Sequence, residues 1–251
     1  YPVMLLCRNF LHKDKDIKQS KQMEYMRISL ILVFHNAAKL LPAKLNNIRS
    51  LILCGLVQEA ILFSDGSTDA SEDLLLSIEE ESIKVMTSDQ HHGKAYGLNL
   101  ASQAATGDIL IYTDLDSIVS SESIKQLIKH FYDPCIGGVC GQRIILSEKS
   151  SFSLAQNRYV KFDSMIKLWE QRSGSITSND GKFYAIRKSL YQPIDPYATD
   201  DLFSCLSVVS QGFKFIFEPK ALARIKTPSR TPEHEIRRRR RIVSRSLHGI
   251  Y

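Results

Sequence analysis

The stretch ATGDILIYTDLD, residues 105–116, decides the fold class of this chain of 251 residues. Its centre, Ile109-Leu110-Ile111-Tyr112, is a short apolar run that predicts a buried β-strand. Gly107 marks the end of a preceding helix, and the run passes directly into two carboxylates. A strand of this kind must be covered by other elements, so the rest of the chain is expected to supply helices around it.

Strand and helix patterns alternate on both sides of this stretch. Apolar runs that predict strands cover residues 28–34, 60–63, 83–86, 109–112, 138–146, 182–187 and 214–217. Helical spacing predicts helices over residues 38–53, 93–105, 154–171 and 200–211, with two more beginning near Asp69 and Ser121. Such alternation predicts an α/β fold with a mostly parallel central sheet, flanked by helices on both faces.

The length and composition suit one α/β domain with short extensions. Hydrophobic residues make up 43% of the chain and charged residues 24%, as in ordinary globular proteins. The predicted division is a lead segment 1–26, a main domain 27–225 with halves 27–117 and 118–225, and a small basic helical extension 226–251. The opening residues are expected to continue a longer chain, and no apolar run reaches the ~18 residues of a membrane span.

The net charge of +6 is concentrated near the two ends of the chain. Lysines cluster within residues 13–21, and five consecutive arginines occupy Arg237–Arg241. On a helix, Arg237, Arg241 and Arg245 share a face, and planar guanidinium groups suit a diphosphate. A lipid surface or nucleic acid explains the run equally well, although it lacks the interleaved aromatic residues that stack on nucleic-acid bases.

The acidic loop after the central strand carries the sharpest functional signal. Asp114 and Asp116 stand two residues apart, just past a buried strand, where they can share a divalent cation. Mg²⁺ and Mn²⁺ take oxygen ligands and leave positions open for phosphate oxygens. These two residues alone also fit a solvated loop with a helix-capping aspartate.

The loop Ser64-Asp65-Gly66-Ser67-Thr68-Asp69 follows another predicted strand. In mostly parallel sheets, ligands bind at the carboxyl ends of strands, and both acidic loops lie at such ends. Asp65 leaves the strand where a base or ribose would sit, and Gly66 would let a ligand approach the backbone. Asp69 is expected to cap the next helix, and a plain turn explains this loop when it is considered alone.

Two predicted helix starts carry charged residues. Lys94 lies at the start of a helix, and a helix N-terminus with a nearby lysine can hold an anion. Asp200 and Asp201 stand at the start of another helix, where the macrodipole stabilises an ionised carboxylate. Capping is the favoured explanation of this pair when it is considered alone, and a general base that deprotonates a bound hydroxyl is the alternative.

Two further groups carry weaker signals. His91 and His92 are expected to be exposed loop residues and not metal ligands. Tyr159, Phe162 and Trp169 fall on one predicted helix, where aromatic residues at helical spacing indicate packing in the core.

Seven stretches of the chain, taken in order, resemble the family 2 glycosyltransferases, which have the Rossmann-like GT-A fold. They are ISLILVFHNAAKLL, ILFSDGSTD, GKAYGLNLA, ATGDILIYTDLDS, NDGKFYAIRKSLY, TDDLFSCLSVVSQGFKFIFEP and HEIRRRRRI. Together they span roughly residues 27–247. The last three resemble the membrane-associated branch that builds polysaccharides, which is related to cellulose and hyaluronan synthases.

The resemblance implies an inverting glycosyltransferase whose carboxylates have separate roles. Asp65 would contact the nucleotide base, and Asp114 would contact the ribose or a metal-bound water. Asp116 would bind Mg²⁺ or Mn²⁺ directly, so that Asp114 and Asp116 form the metal-binding pair, and Asp201 would be the catalytic base. The nucleotide sugar as a whole would be held by Asp65, Lys94, Asp114, Arg238 and Arg241.

The resemblance also implies the partners. The donor would be a nucleotide-diphosphate sugar, by family habit a UDP-sugar, and the acceptor a hydroxyl of a glycan or of a lipid-linked molecule. The half 27–117 would bind the nucleotide and the half 118–225 the acceptor. The domain would work at the cytoplasmic face of a membrane, held there by flanking segments, and no nucleic-acid partner is expected.

Departures from the family pattern leave an alternative open. Ala37 stands where the family often has an acidic residue, and Ser64 stands where it often has the first of two aspartates. The arginine run also lacks the family's Gln and Trp. A catalytically weak or inactive module that binds a nucleotide sugar or an anionic surface would share these features. A sugar nucleotidyltransferase fits poorly, because residues 34–37 form no glycine-rich phosphate loop.

Overall fold

The computed structural model describes residues 26–146 and 151–225, and for residues 151–155 the backbone alone. The arginine run and the predicted helical extension after residue 225 therefore lie outside the described residues, as does nearly all of the lead segment. In the described part, the strands are β1 (Ile28–Phe34), β2 (Glu59–Asp65), β3 (Ile83–Ser88), β4 (Ile109–Thr113), β5 (Ser117–Val119), β6 (Ile136–Ile145), β7 (Phe183–Arg187) and β8 (Lys214–Ile225). The helices are α1 (Leu41–Leu53), α2 (Ser71–Leu76), α3 (Lys94–Ala104), α4 (Ser121–Ile128), α5 (Ser151–Ser173) and α6 (Asp200–Ser210), with short 3₁₀ turns at Lys129–Tyr132 and Lys188–Leu190.

The eight strands form one sheet in the order β3-β2-β1-β4-β7-β6-β8-β5. The pairings β1–β2, β2–β3, β1–β4 and β6–β8 are parallel, whereas β4–β7, β6–β7 and β5–β8 are antiparallel. The predicted mostly parallel α/β architecture is confirmed. The patterns did not foresee that β7, which comes late in the chain, inserts antiparallel beside β4.

Helices cover both faces of the sheet. Alternate residues of β1 point to opposite faces, so Leu30 and Leu32 pack with Leu45 of α1 on one face. Ile31 and Val33 pack with Leu98 of α3 on the other face. Each fully buried aliphatic side chain of this kind contributes about 1.5–3 kcal/mol, and the strand residues concerned are at most 9% exposed.

The predicted elements are confirmed in type, and the differences lie at their ends. The predicted strand 214–217 continues to Ile225, because β8 pairs with β6 as far as Ile145 while its last three residues also pair with the short strand β5 on the other side. No pattern predicted β5, which is only three residues long. Asp69 accepts a hydrogen bond from the backbone N–H of Ser71, the first residue of α2, at 3.0 Å. Asp69 therefore binds the helix start from the position before the N-cap, which is Ala70 and not Asp69 as predicted.

The prediction that the aromatic residues of helix 154–171 pack in the core is wrong. Tyr159 is 42% exposed, and Phe162 and Trp169 are each 55% exposed. Helix α5 rests on the sheet through a different side, which includes Val160 and Lys167. Among the helices within residues 26–146 and 151–225, no helix is both long enough and apolar enough to cross a bilayer.

Candidate active site

A cleft of about 640 Å³ opens at the carboxyl ends of the first strands, the edge at which ligands bind in such sheets. Its charged and imidazole-bearing lining comes from five segments of the chain, which contribute His35, His91, His92, Lys94, Asp114, Asp116, Asp180, Lys182, Asp200 and Asp201. The predicted residues Lys94, Asp114, Asp116 and Asp201 therefore meet in one cavity.

The loop after β4 holds two carboxylates that face two lysines. Asp114 Oδ1 lies 3.1 Å from Lys94 Nζ, and Asp114 Oδ2 lies 2.9 Å from Lys182 Nζ. Lys182 Nζ also lies 2.8 Å from Asp116 Oδ1. Burial raises the pKa of Asp114, but the ammonium groups of Lys94 and Lys182 outweigh it and hold that pKa well below its ordinary value. Asp114 thus stays ionised across the physiological pH range.

Antiparallel pairing brings Lys182 to this loop. Lys182 immediately precedes β7, whose first residue, Phe183, pairs with Thr113 at the end of β4. The start of an antiparallel strand lies beside the end of its neighbour, so Lys182 meets the residues that follow Thr113. Sequence reasoning missed Lys182, because nothing local indicates which strand β7 would join.

Lys94 links the acidic loop to the start of α6. As the first residue of α3, it lies 2.6 Å from Asp200 Oδ2 in addition to its contact with Asp114. Burial lowers the pKa of Lys94, but the charges of Asp114 and Asp200 outweigh it and raise that pKa well above its ordinary value. Lys94 is therefore a fixed positive charge at the centre of the cleft.

The neighbouring aspartates of α6 have different environments. Asp200 forms an ion pair with Lys94, whereas Asp201 Oδ1 accepts a hydrogen bond from the backbone N–H of Leu202 at 2.8 Å. Burial and the adjacent charge of Asp200 raise the pKa of Asp201. A carboxylate with a raised pKa binds a proton more readily, which is the property that a general base requires.

Asp65, which was expected to contact the nucleotide base, lies behind the wall of the cleft. It is 1% exposed and does not line the cleft. Its two carboxylate oxygens accept hydrogen bonds from the backbone N–H groups of His92 and Gly93, at 2.9 and 2.8 Å. In this structure, Asp65 shapes the cleft by holding residues 91–93, which form one wall of it.

Gly66, which was expected to let a ligand approach the backbone, is instead packed against another loop. A Cβ atom at Gly66 would lie 2.5 Å from the backbone of Gln90 and His91, and the residue has a φ of 63°. The group that approaches this backbone is thus the loop at Gln90–His91, not a ligand. His91 and His92 are exposed, as expected, and they line the cleft as well.

Beneath the acidic loop lies a lysine that sequence reasoning overlooked. Lys44 of α1 is fully buried, and its Nζ donates hydrogen bonds to Thr113 Oγ1, at 2.8 Å, and to the carbonyl oxygen of Ser117. These two acceptors flank Asp114 and Asp116, so Lys44 holds both ends of the loop. The signal was present in the sequence, since Lys44 shares the apolar face of its helix with Leu41 and Ile48.

Replacing Lys44 with Met is expected to change how stability depends on pH. Burial lowers the pKa of Lys44 from 10.5 to about 7, so between these values the unfolded chain binds a proton that the folded chain does not. The free energy of unfolding of the wild type should therefore rise with pH over this interval, and Lys44→Met should lack that rise. Urea denaturation at several pH values measures it.

The exposed lysine Lys39 offers a matched control for this prediction. Lys39→Met removes the same charge from the surface, and its stability should follow the wild-type dependence on pH. If the curves of Lys44→Met and the wild type run parallel from pH 7 to 10, Lys44 does not titrate in this interval and the prediction fails.

The acidic loop fits a divalent cation only in part. Among the described residues there is no group of three or more His, Cys, Asp or Glu that would hold a metal ion. Asp114 and Asp116 supply two hard oxygen ligands, and Mg²⁺ is often bound through one or two carboxylates completed by phosphates and waters. The residues thus suit an open metal site that a phosphate-bearing ligand would complete, and not a closed structural one. Arg238 and Arg241, also predicted at this site, lie outside the described residues.

Comparisons with known proteins give a consistent picture. The model of the family described as glycosyl transferase family 2 matches residues 29–194. The poly-β-1,6-N-acetyl-D-glucosamine synthase of Staphylococcus aureus strain COL is 26% identical over 228 residues, which cover 88% of this chain and 54% of the synthase. The O-antigen chain rhamnosyltransferase RfbN of Salmonella typhimurium is 25% identical over 85% of this chain and 70% of its own length. The chain thus spans about half the length of the staphylococcal synthase.

Solved structures share the fold. The mannosyltransferase PcManGT of Pyrobaculum calidifontis, in complex with GDP-Man and Mn²⁺, superposes with a TM-score of 0.74 at 20% identity, over 90% of this chain and 64% of its own. Glucosyl-3-phosphoglycerate synthase of Mycobacterium tuberculosis, in complex with Mn²⁺, UDP and phosphoglyceric acid, has a TM-score of 0.59 at 16% identity, over 92% and 80%. These likenesses confirm the predicted GT-A fold.

Proposed function

This chain belongs to glycosyl transferase family 2, and from that premise we propose that it transfers a sugar from a nucleotide-diphosphate sugar to an acceptor hydroxyl with inversion. The observation that carries the proposal is the convergence in one cleft of Asp114, Asp116 and Asp201 with the ammonium groups of Lys94 and Lys182. Such a cleft offers positive charge for a diphosphate, oxygen ligands for a cation and a carboxylate for an acceptor proton.

The donor is proposed to be a UDP-sugar bound with Mg²⁺ or Mn²⁺. Support comes from the acidic loop and from the solved neighbours, whose complexes contain Mn²⁺ with GDP-Man or UDP. Asp116 would hold the ion with Asp114, and Lys94 would face the diphosphate, with Arg238 and Arg241 adding charge. When bound, the divalent ion supplies Lewis-acid stabilisation of the negative charge on the departing diphosphate.

The proposed reaction is a single in-line displacement. The acceptor oxygen forms a bond to the anomeric carbon while the bond from that carbon to the diphosphate oxygen breaks, which inverts the configuration. Asp201 takes the proton of the acceptor hydroxyl, and the electron pair of the broken bond leaves with the nucleoside diphosphate. Lys94 would stabilise the charge that develops on that leaving group.

The acceptor is proposed to be a glycan or a lipid-linked glycan at the cytoplasmic face of a membrane. The two named relatives are, by their names, a poly-N-acetylglucosamine synthase and an O-antigen chain rhamnosyltransferase. Segments that flank the domain in the whole protein would hold it at the membrane. We propose that residues 27–117 serve the nucleotide and residues 118–225 the acceptor.

Two of the three departures from the family pattern, Ala37 and Ser64, lie away from the cleft lining, and the third, the arginine run, lies outside the described residues. Ala37 is 2% exposed and its N–H donates to Ser71 Oγ at 2.8 Å. Ser64 is fully buried, and its hydroxyl donates to Ser67 Oγ at 2.8 Å. Neither substitution removes a carboxylate that would face the donor, so neither argues against catalysis.

A screen of nucleotide sugars tests the proposed function. The chain is incubated with UDP- and GDP-sugars, with Mn²⁺ or with a chelator, and the free nucleoside diphosphate is measured. We expect release with at least one donor, which requires the metal and increases when a glycan acceptor is added. Calorimetric binding of a donor without any release would instead support the inactive binding module.

A further inference from the structure

Helix α5 presents an apolar face to solvent. We define the α5 face as Phe162, Met165, Ile166 and Trp169, whose exposed fractions are 55%, 37%, 37% and 55%. Their spacing of three and four residues places them on one side of the helix. Large apolar side chains scattered singly on a surface are ordinary, but a contiguous group of this kind marks an interaction site.

The opposite side of α5 accounts for its attachment to the fold. Val160 and Lys167 are buried there, Lys167 lies 5.9 Å from the ring centre of Phe217 in β8, and Gln171 Oε1 accepts a hydrogen bond from the N–H of Phe217 at 2.6 Å. Because these contacts fix the helix on the sheet, the α5 face is not needed for packing within the described part of the chain.

The exposed basic residues of α5 lie on one flank of the α5 face. Arg158, Lys161 and Arg172 are exposed and lie along one flank of it, at helical spacing. The acidic residues of this helix, Asp163 and Glu170, lie on the other side, where Asp163 pairs with Lys167 and Glu170 accepts a hydrogen bond from Thr177 Oγ1 at 2.7 Å. The exposed charged residues of α5 are therefore basic, whereas its two acidic side chains are half-buried and already have partners.

We propose that the α5 face docks on the surface of an anionic lipid bilayer. An interfacial helix buries Trp, Phe and aliphatic side chains at the level of the headgroups, while lysines and arginines contact the acidic lipids. The basic charges disfavour the chain's own arginine-rich segment, because like charges would meet. They also disfavour an antiparallel two-fold contact with a second copy, because that arrangement would bring the two basic flanks to the same side.

Helix α5 is connected to the cleft through Arg143. The Arg143 guanidinium lies 6.0 Å from the ring centre of Tyr159 in α5, and it also pairs with Asp180 at 2.9 Å. Asp180 lines the cleft. A bilayer at the α5 face would thus lie beside the half of the domain to which we assign the acceptor. The docking itself is independent of the proposed transfer, because it needs neither donor nor metal.

The chain contains one tryptophan, Trp169, so its fluorescence reports this face directly. The full chain is mixed with vesicles of phosphatidylcholine alone, or of phosphatidylcholine with phosphatidylglycerol, and brominated lipids serve as quenchers. We expect a blue shift and quenching of Trp169 with the anionic vesicles, and binding roughly tenfold or more weaker to the neutral ones. The variant Phe162→Glu/Ile166→Glu keeps Trp169 and should lose most of this binding.

A matched control makes the same chemical change elsewhere. Leu53 and Leu76 are 86% and 84% exposed, so Leu53→Glu/Leu76→Glu alters charge and apolar surface equally and should bind vesicles as the wild type does. Circular dichroism verifies that both variants fold.

Two outcomes would overturn the proposal. One is vesicle binding without any change in Trp169 emission, which would assign the contact to other basic residues. The other is a wild-type dimer in light scattering that the α5 variant dissociates, which would make the face a contact between copies.

Discussion

Asp201→Asn is expected to lower the transfer rate by about 10²- to 10⁴-fold, the usual contribution of a positioned general base. The asparagine keeps the shape of the side chain and still accepts the hydrogen bond that Asp201 receives from Leu202, but it cannot take a proton. Donor binding should persist, because the ion pairs of Lys94 and Lys182 with Asp114 do not involve Asp201. Steady-state kinetics and calorimetry with a donor separate the two effects.

The pH dependence of transfer distinguishes a base from a structural residue. Since burial and Asp200 raise the pKa of Asp201, transfer should decrease as the pH falls through this raised value. Asp200→Asn removes the neighbouring charge, so the pKa of Asp201 should fall and the acidic limb of kcat/KM should move to lower pH.

The same raised pKa predicts the stability of the variant. An ionised carboxylate whose pKa is raised by folding costs stability at neutral pH, so Asp201→Asn should unfold at the same temperature as the wild type or above it. Asp73→Asn, an exposed change on α2, serves as the control for rate and stability. Full activity of Asp201→Asn would remove this residue from the mechanism.

Asp116→Asn should abolish the stimulation of transfer by Mn²⁺ and lower kcat/KM by roughly 10³-fold, because a metal ion stabilises transition-state charge by several kcal/mol. The loop supplies two carboxylates, and the loss of one leaves Asp114 as the remaining protein ligand of the pair. A titration with Mn²⁺ at fixed donor concentration measures the effect. An unchanged titration in this variant would mean that Asp116 does not bind the ion.

Replacing Lys182 is expected to change Mn²⁺ binding in the opposite direction. Its ammonium lies 2.8 and 3.1 Å from the two carboxylate oxygens of Asp116, so it occupies the position that a cation would take. Lys182→Met removes this competitor, and Mn²⁺ should then bind more tightly in the absence of donor. Weaker Mn²⁺ binding in this variant would show that Lys182 organises the loop for the ion and does not compete with it.

Local patterns predicted one helix correctly and misjudged the environment of its aromatic residues. Phe162 and Trp169 were predicted to lie on one helix, and α5 is that helix. Helical spacing predicts which residues share a face of the helix. It does not predict what covers that face, because the covering group belongs to another part of the chain or to another molecule. The core assignment was therefore wrong, although the helix was right.

By itself, the sequence determined the alternating strands and helices, the α/β class and the position of the Asp114–Asp116 loop at the carboxyl edge of the sheet. Hydrophobic periodicity is local, and parallel strands end at a common edge, so these features follow from neighbouring residues. Only the tertiary structure decided that Lys182 reaches the acidic loop, that Lys44 lies beneath it and that Asp65 faces the 91–93 loop and not the cleft. Each of these contacts joins segments distant in the chain, through strand insertion or close packing, which no local pattern encodes.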